Sequence, residues 1–211
     1  MKNKLPEIRI QDAWLLRDNV SKHLNELWGK GKLLADDKDM KTIVNNYRKA
    51  WDPYEQKILN GMADLLGLDF KQNIIDVYIA PWFFAFSDPM IIGVIYKPDV
   101  FIDILSHELL HRLLTDNIST PYDKGLLIPE WQRMFGKKHT FTMIVHIPVH
   151  AALKAIYLDI LKQPERLERD IDRHKENKSK DYIDAWEYVE ENDYKEIIKN
   201  LRLSYEKLSK K

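Results

Sequence analysis

The sequence predicts an α+β fold: a helical N-terminal part, a small sheet, two helices bearing candidate metal ligands, and a helical tail. Three observations lead there. Apolar residues recur at three- and four-residue steps through much of the chain. Between Asn73 and Tyr96 the pattern changes to β-branched and aromatic runs broken by a turn. Directly after that, a run of good helix formers carries His107-Glu108-Leu109-Leu110-His111.

In the N-terminal part, Ala13, Leu16, Val20, Leu24 and Leu27 predict a helix over 11–28, ended by Gly29-Lys30-Gly31. Asp36-Asp37 opens a second helix through about Lys49. Asp52-Pro53 supplies a cap and a first-turn proline for a third, which runs to Leu66 before Gly67. Asn73–Ala80 and Met90–Tyr96 read as two strands around the turn Ser87-Asp88-Pro89, paired antiparallel. Pro81–Phe86 is strongly apolar, a core segment that could also wall a pocket.

The next stretch dominates the functional reading. Pro98 and Asp99 open a helix that meets no Gly or Pro before Asp116. Four residues apart, His107 and His111 stand one above the other on one face, about 6 Å apart along the axis. Two imidazoles so placed can bind one metal ion. Glu108 lies one step round, offset from the ligands but able to take a proton from a water that the metal activates. Phe101, Leu105, Leu109, Leu110 and Leu113 give the helix an apolar back. A pair of structural core histidines is the competing explanation of the pattern.

Farther on, Pro129-Glu130-Trp131 opens a short helix closed by Gly136. His146 and His150 are again four apart, on a helix expected from His150 onward with Pro148 in its first turn or as a kink. If the two His-bearing helices meet, either His146 or His150 can be a third ligand, with the other a supporting hydrogen-bond donor. From Gln163-Pro164 onward the chain is highly charged. Residues 165–178 read as a solvated helix or linker, with His174 exposed, and two amphipathic helices follow near 180–190 and 193–208. The expected division is a domain over 1–163 with its core at 70–162, and a charged helical extension over 164–211 that packs on the body.

Composition narrows the function classes. Lys+Arg and Asp+Glu both number 33, so the broad positive field of a nucleic-acid binder is missing and no nucleic-acid partner is expected. With no cysteine, zinc must be held by His and carboxylates. No signal-type apolar segment opens the sequence, so a cytoplasmic protein without a membrane role is expected.

A strand, then the His107-Glu108-x-x-His111 helix, then a later helix with a further ligand resembles the zincin-like metallopeptidases, in particular the small gluzincin type. The resemblance covers roughly residues 70–160. It implies Zn2+ held by His107 and His111, Glu108 as general base, and a peptide or protein substrate laid in extended form along an edge strand, here Met90–Tyr96 or Ile74–Ile79. No Gly-x-x-His follows His111, which disfavours the metzincin type. Gluzincins often use a Glu on the next helix, and Glu130 stands at a spacing some of them use; it ranks behind His146 and His150. The expected function is zinc-dependent hydrolysis of peptide bonds. The rivals are a regulatory or toxin-like module of phage or mobile-element type acting on one protein partner, and a metal-free helical interaction protein.

Overall fold

In the computed structural model, residues 5–14, 37–81, 85–117 and 124–208 are described. The protein is α+β and mostly helical, with one four-stranded mixed sheet. Its residues group into two compact units: one comprises Pro6–Glu55 and Gln72–Leu109, the other chiefly Gln56–Lys71 and Leu110–Lys211.

The first unit holds the sheet. Strands β1 (Glu7–Asp12), β2 (Ile74–Ala80), β3 (Ala85–Ser87) and β4 (Met90–Gly93) lie in the order β1-β2-β4-β3. β1 and β2 are parallel, with Ile10 opposite Val77. On β2, Ile75, Val77 and Ile79 are buried, every second residue, as one covered sheet face requires. Helix α1 (Asp37–Trp51) buries Met40, Val44, Tyr47 and Trp51, a stripe at helical period. Arg48 Nε donates to the Ile10 carbonyl at 2.6 Å, and the Tyr47 hydroxyl donates to the Tyr96 carbonyl at 2.7 Å. The Tyr47 ring stacks on Phe101, centroids 4.0 Å apart.

Two expectations fail here. β4 runs parallel to β2, not antiparallel, and stops at Gly93. Its antiparallel partner is the short β3. The chain reverses direction twice between Ala80 and Met90, once before β3 and once at Asp88-Pro89, and two reversals restore the original direction. The helix expected over 11–28 also cannot begin at Gln11, because Gln11 and Asp12 belong to β1; the remainder of that helix, with His23, lies mainly outside the described residues. The same holds for Trp82–Phe84 in the apolar segment.

Helix α2 (Glu55–Leu66) starts after a turn at 52–54 and ends at Gly67, whose φ of +64° suits a residue without Cβ. Helix α3 (Pro98–Asp116) takes Pro98 as its first helical residue, where a missing N–H costs nothing. The apolar back expected for α3 is too narrow a description: from Phe101 to Leu110 every residue is buried, including Asp103, Ser106, His107 and Glu108. Buried Ser106 satisfies its hydroxyl on the Ile102 carbonyl one turn back, at 2.7 Å.

The second unit is helical. Helix α4 (Lys124–Phe135) begins earlier than Pro129, which lies inside it. Helix α5 (Phe141–Ala155) starts more than two turns before His150 because Thr140 caps it, accepting the Met143 N–H at 3.1 Å. Pro148 is accommodated within α5. A π-helical segment, Ile156–Leu161, continues it and ends at Lys162 in the left-handed conformation. By length and composition Phe141–Leu161 could cross a membrane, but 72% of its most apolar window is buried inside the protein, as befits a central core helix. Helices α6 (Pro164–Glu176), α7 (Lys180–Glu191) and α8 (Tyr194–Leu208) complete the unit, with α7 and α8 packed on α5.

The charged stretch 165–178 is thus helix α6, and it is not uniformly solvated. Arg166, Asp170 and His174 form a buried stripe at four-residue spacing, so the expected exposure of His174 is corrected to 8%. A charged helix can bury one polar face when that face meets matching polar groups. In α8, buried Tyr205 donates its hydroxyl to the Leu114 carbonyl of α3 at 2.5 Å. Replacing Tyr205 with Phe should lower stability by about 1 kcal/mol, read as a lower urea midpoint at unchanged slope.

Candidate metal centre

The candidate ligands come from α3 and α5. α3 is one unbroken helix, so helical geometry alone fixes His107 one turn before His111 and Glu108 one residue after His107. α5 brings His146 to the pair: the His111 and His146 rings lie 5.0 Å apart, nearly edge to face. His107, His111 and His146 each offer one ligand atom, and the three atoms lie within 4.8 Å of one another.

The protonation states suit a metal. Burial holds His111 down to about 3, with a smaller push from His146. It holds His146 down to about 4, partly offset by the hydrogen bond to Thr142. Both imidazoles are therefore neutral at pH 7, as ligation requires. His146 Nδ1 lies 2.6 Å from the Thr142 carbonyl oxygen. A carbonyl can only accept, so Nδ1 carries the proton and Nε2 keeps its lone pair for a ligand. This is the support that metal-binding histidines use to fix tautomer and ring orientation. Three imidazole donors without thiolate fit zinc, a borderline ion that imidazole binds well.

Tyr182, from α7, lies against the His146 ring at 4.0 Å between centroids and limits its rotation. Glu108 is buried beside His107 in sequence, at 9% exposure.

The other two candidates for third ligand go elsewhere. Glu130 receives Arg133 through two hydrogen bonds of 2.7 and 3.0 Å and Ser204 through one of 3.4 Å. Its carboxyl is held below the usual range, chiefly by the bond from Arg133. It belongs to no ligand cluster among the described residues. Because α4 starts at Lys124, Glu130 stands in its second turn, not its first. His150 is wholly buried, 5.7 Å from His146 between ring centroids, and its ligand atom groups with Asp170 and His174 of α6.

Asp170, His174, Tyr182 and Trp186 were not singled out as site residues by sequence reasoning. Asp170 and His174 repeat the four-residue spacing of the other two pairs, the one available signal, and the surrounding charge conceals it. No protein-family model, curated protein or solved structure matches this chain.

Neutral buried imidazoles make the metal-free protein sensitive to acid. Unfolded, each titrates near 6.5; folded, His111 and His146 titrate at about 3 and 4. Between those limits the unfolded chain binds more protons, so this contribution to stability is complete above about pH 6.5 and is lost as pH falls. The urea midpoint of chelator-treated protein should therefore drop steadily from pH 7 to pH 4.5. A flat profile over that range would show that these rings are not buried neutral.

Proposed function

We propose that the protein is a zinc-dependent hydrolase of peptide bonds, a zincin-like metallopeptidase of the small gluzincin type whose third ligand is His146. The observation that carries this reading is the pairing of His107-Glu108-x-x-His111 on one helix with a third imidazole from a separate helix, its tautomer already fixed.

His107, His111 and His146 would hold the zinc. When bound, zinc supplies Lewis acidity toward the scissile carbonyl and lowers the pKa of a water to about 7. The chain's own residues do the rest. Glu108 takes a proton from the attacking water and delivers it to the departing amine, a transfer worth about 10²–10⁴-fold. Its burial beside the ligands limits competing bulk water. Thr142 keeps His146 presenting Nε2, and Tyr182 limits the rotation of that ring. The resemblance suggests that the substrate lies extended along a sheet edge. β2 and β4, the strands expected to serve as that edge, lie inside the sheet, because β1 and β3 take the outer places in the order β1-β2-β4-β3. An extended substrate would therefore have to pair with β1 or β3.

Glu108→Gln should abolish cleavage of a fluorogenic peptide library, by at least a hundredfold, while zinc remains bound at wild-type stoichiometry. His146→Ala should lose one zinc equivalent relative to wild type, together with cleavage, and Glu130→Gln should leave both zinc content and activity unchanged. Full activity in Glu108→Gln would exclude the proposed mechanism. Wild-type zinc content in His146→Ala with one equivalent lost in Glu130→Gln would move the third ligand to α4.

A further inference from the structure

We propose that His150, Asp170 and His174 form a second binding site for a first-row divalent cation, separate from the His107–His111–His146 group and fastening α6 to α5. Nothing in the hydrolase reading requires it; the two stand independently.

The ligand atoms of these three residues all lie within 4.8 Å of one another. All three residues are buried, at 0%, 2% and 8% exposure. Two imidazoles and a carboxylate are a donor set that zinc and its first-row neighbours accept. The layout repeats that of the first group: a four-residue pair on one helix, here Asp170 and His174 of α6, meets one imidazole from α5. Helix α5 serves both groups, His146 facing one and His150 the other.

Aromatic packing holds the two rings in place. His150 stacks on Trp186, with centroids 4.2 Å apart and planes 10° from parallel. His174 stacks on Tyr182 at 4.5 Å and 20°. Stacking occupies the faces of an imidazole, whereas ligation uses the nitrogen lone pair in the ring plane, so the two are compatible. Arg173 donates to Asp170 Oδ1 and lies 3.3 Å from His174 Nε2. The guanidinium thus pairs with the carboxylate through Oδ1, and Oδ2 lies 4.0 Å from His174 Nε2. The Arg173 side chain is 20% exposed, so it lies at the rim of the cluster.

Arg173 already brings one positive charge to the buried Asp170 carboxylate. A divalent cation held by that carboxylate and the two imidazoles would add to this compensation and join the two helices through its bonds. With no ligand residue open to solvent, the role is structural: closing α6 onto the bundle.

The test is zinc stoichiometry of the full chain, by titration of chelator-treated protein and elemental analysis. Wild type should bind two equivalents. Asp170→Asn and His174→Gln should each bind one. The His107→Ala/His111→Ala chain, in which the second cluster is intact, should also retain one and lose it when Asp170→Asn is added. One equivalent in wild type that disappears in His107→Ala/His111→Ala would overturn the second site and leave the hydrolase reading standing. One equivalent that survives that change but is lost in Asp170→Asn would support the second site and sink the first. Two equivalents unaffected by Asp170→Asn and His174→Gln would overturn the assignment. Where an Asp170 variant does not fold, cobalt titration of the His107→Ala/His111→Ala chain decides: one stoichiometric absorption phase supports the site, and none overturns it.

Discussion

The arrangement depends on imidazoles kept uncharged in a row through the helical unit. His111, His146, His150 and His174 follow one another at ring separations of 5.0, 5.7 and 5.9 Å. Protonating any of them would place a charge where water cannot solvate it. Burial pushes His150 well below its ordinary range and His174 to about 3, the latter with help from the Arg173 charge. The rings are held by packing: His111 against His146 edge to face, His150 on Trp186 and His174 on Tyr182.

Helix α5 is the hinge of this logic. A four-residue step turns a helix by 40° beyond one full turn, so His146 and His150 lie on neighbouring lines of the same surface. That offset lets one helix address two clusters. His146 reaches the α3 pair, and His150 reaches the α6 pair. α7 then covers both, placing Tyr182 against His146 and His174, and Trp186 against His150. Ile144, Ile147 and Leu153 of α5, with Ile156 just beyond it, are fully buried and anchor the helix as a support for the rings, whereas Phe141 at its start is exposed.

Local chemistry made much of this legible in the chain. Helix α3 followed from Pro98-Asp99 and the run of helix formers after it, and α1 from Asp36-Asp37 at its opening. β2 followed from β-branched alternation. β1 was missed because six residues with only Ile8 and Ile10 to alternate give a weak signal, and its parallel partner lies 67 residues away. The direction of β4 was missed because a three-residue strand, β3, intervenes and adds a reversal that residue preferences do not announce. The N-terminal half of α5 was missed because Pro148 reads as a boundary, whereas the Thr140 cap and burial on all sides hold the helix through it.

By itself the sequence determined the spacing of His107 with His111 and of His146 with His150, and the place of Glu108 beside His107, because position along a helix is a local property that needs no tertiary contact. Composition alone determined that no thiolate is present in the sequence. Only the tertiary structure decided which side chain from another helix approaches which candidate pair. Glu130 has a suitable charge and spacing, yet Arg133 and Ser204 claim it. His146 and His150 are chemically identical, and only the approach of α3 to one and α6 to the other separates them. It also decided that His174, in a run of charges that reads as solvated, is buried. Which face of a charged helix turns inward depends on the surface it meets, and that surface comes from other helices, with Tyr182 of α7 and His150 of α5 beside His174.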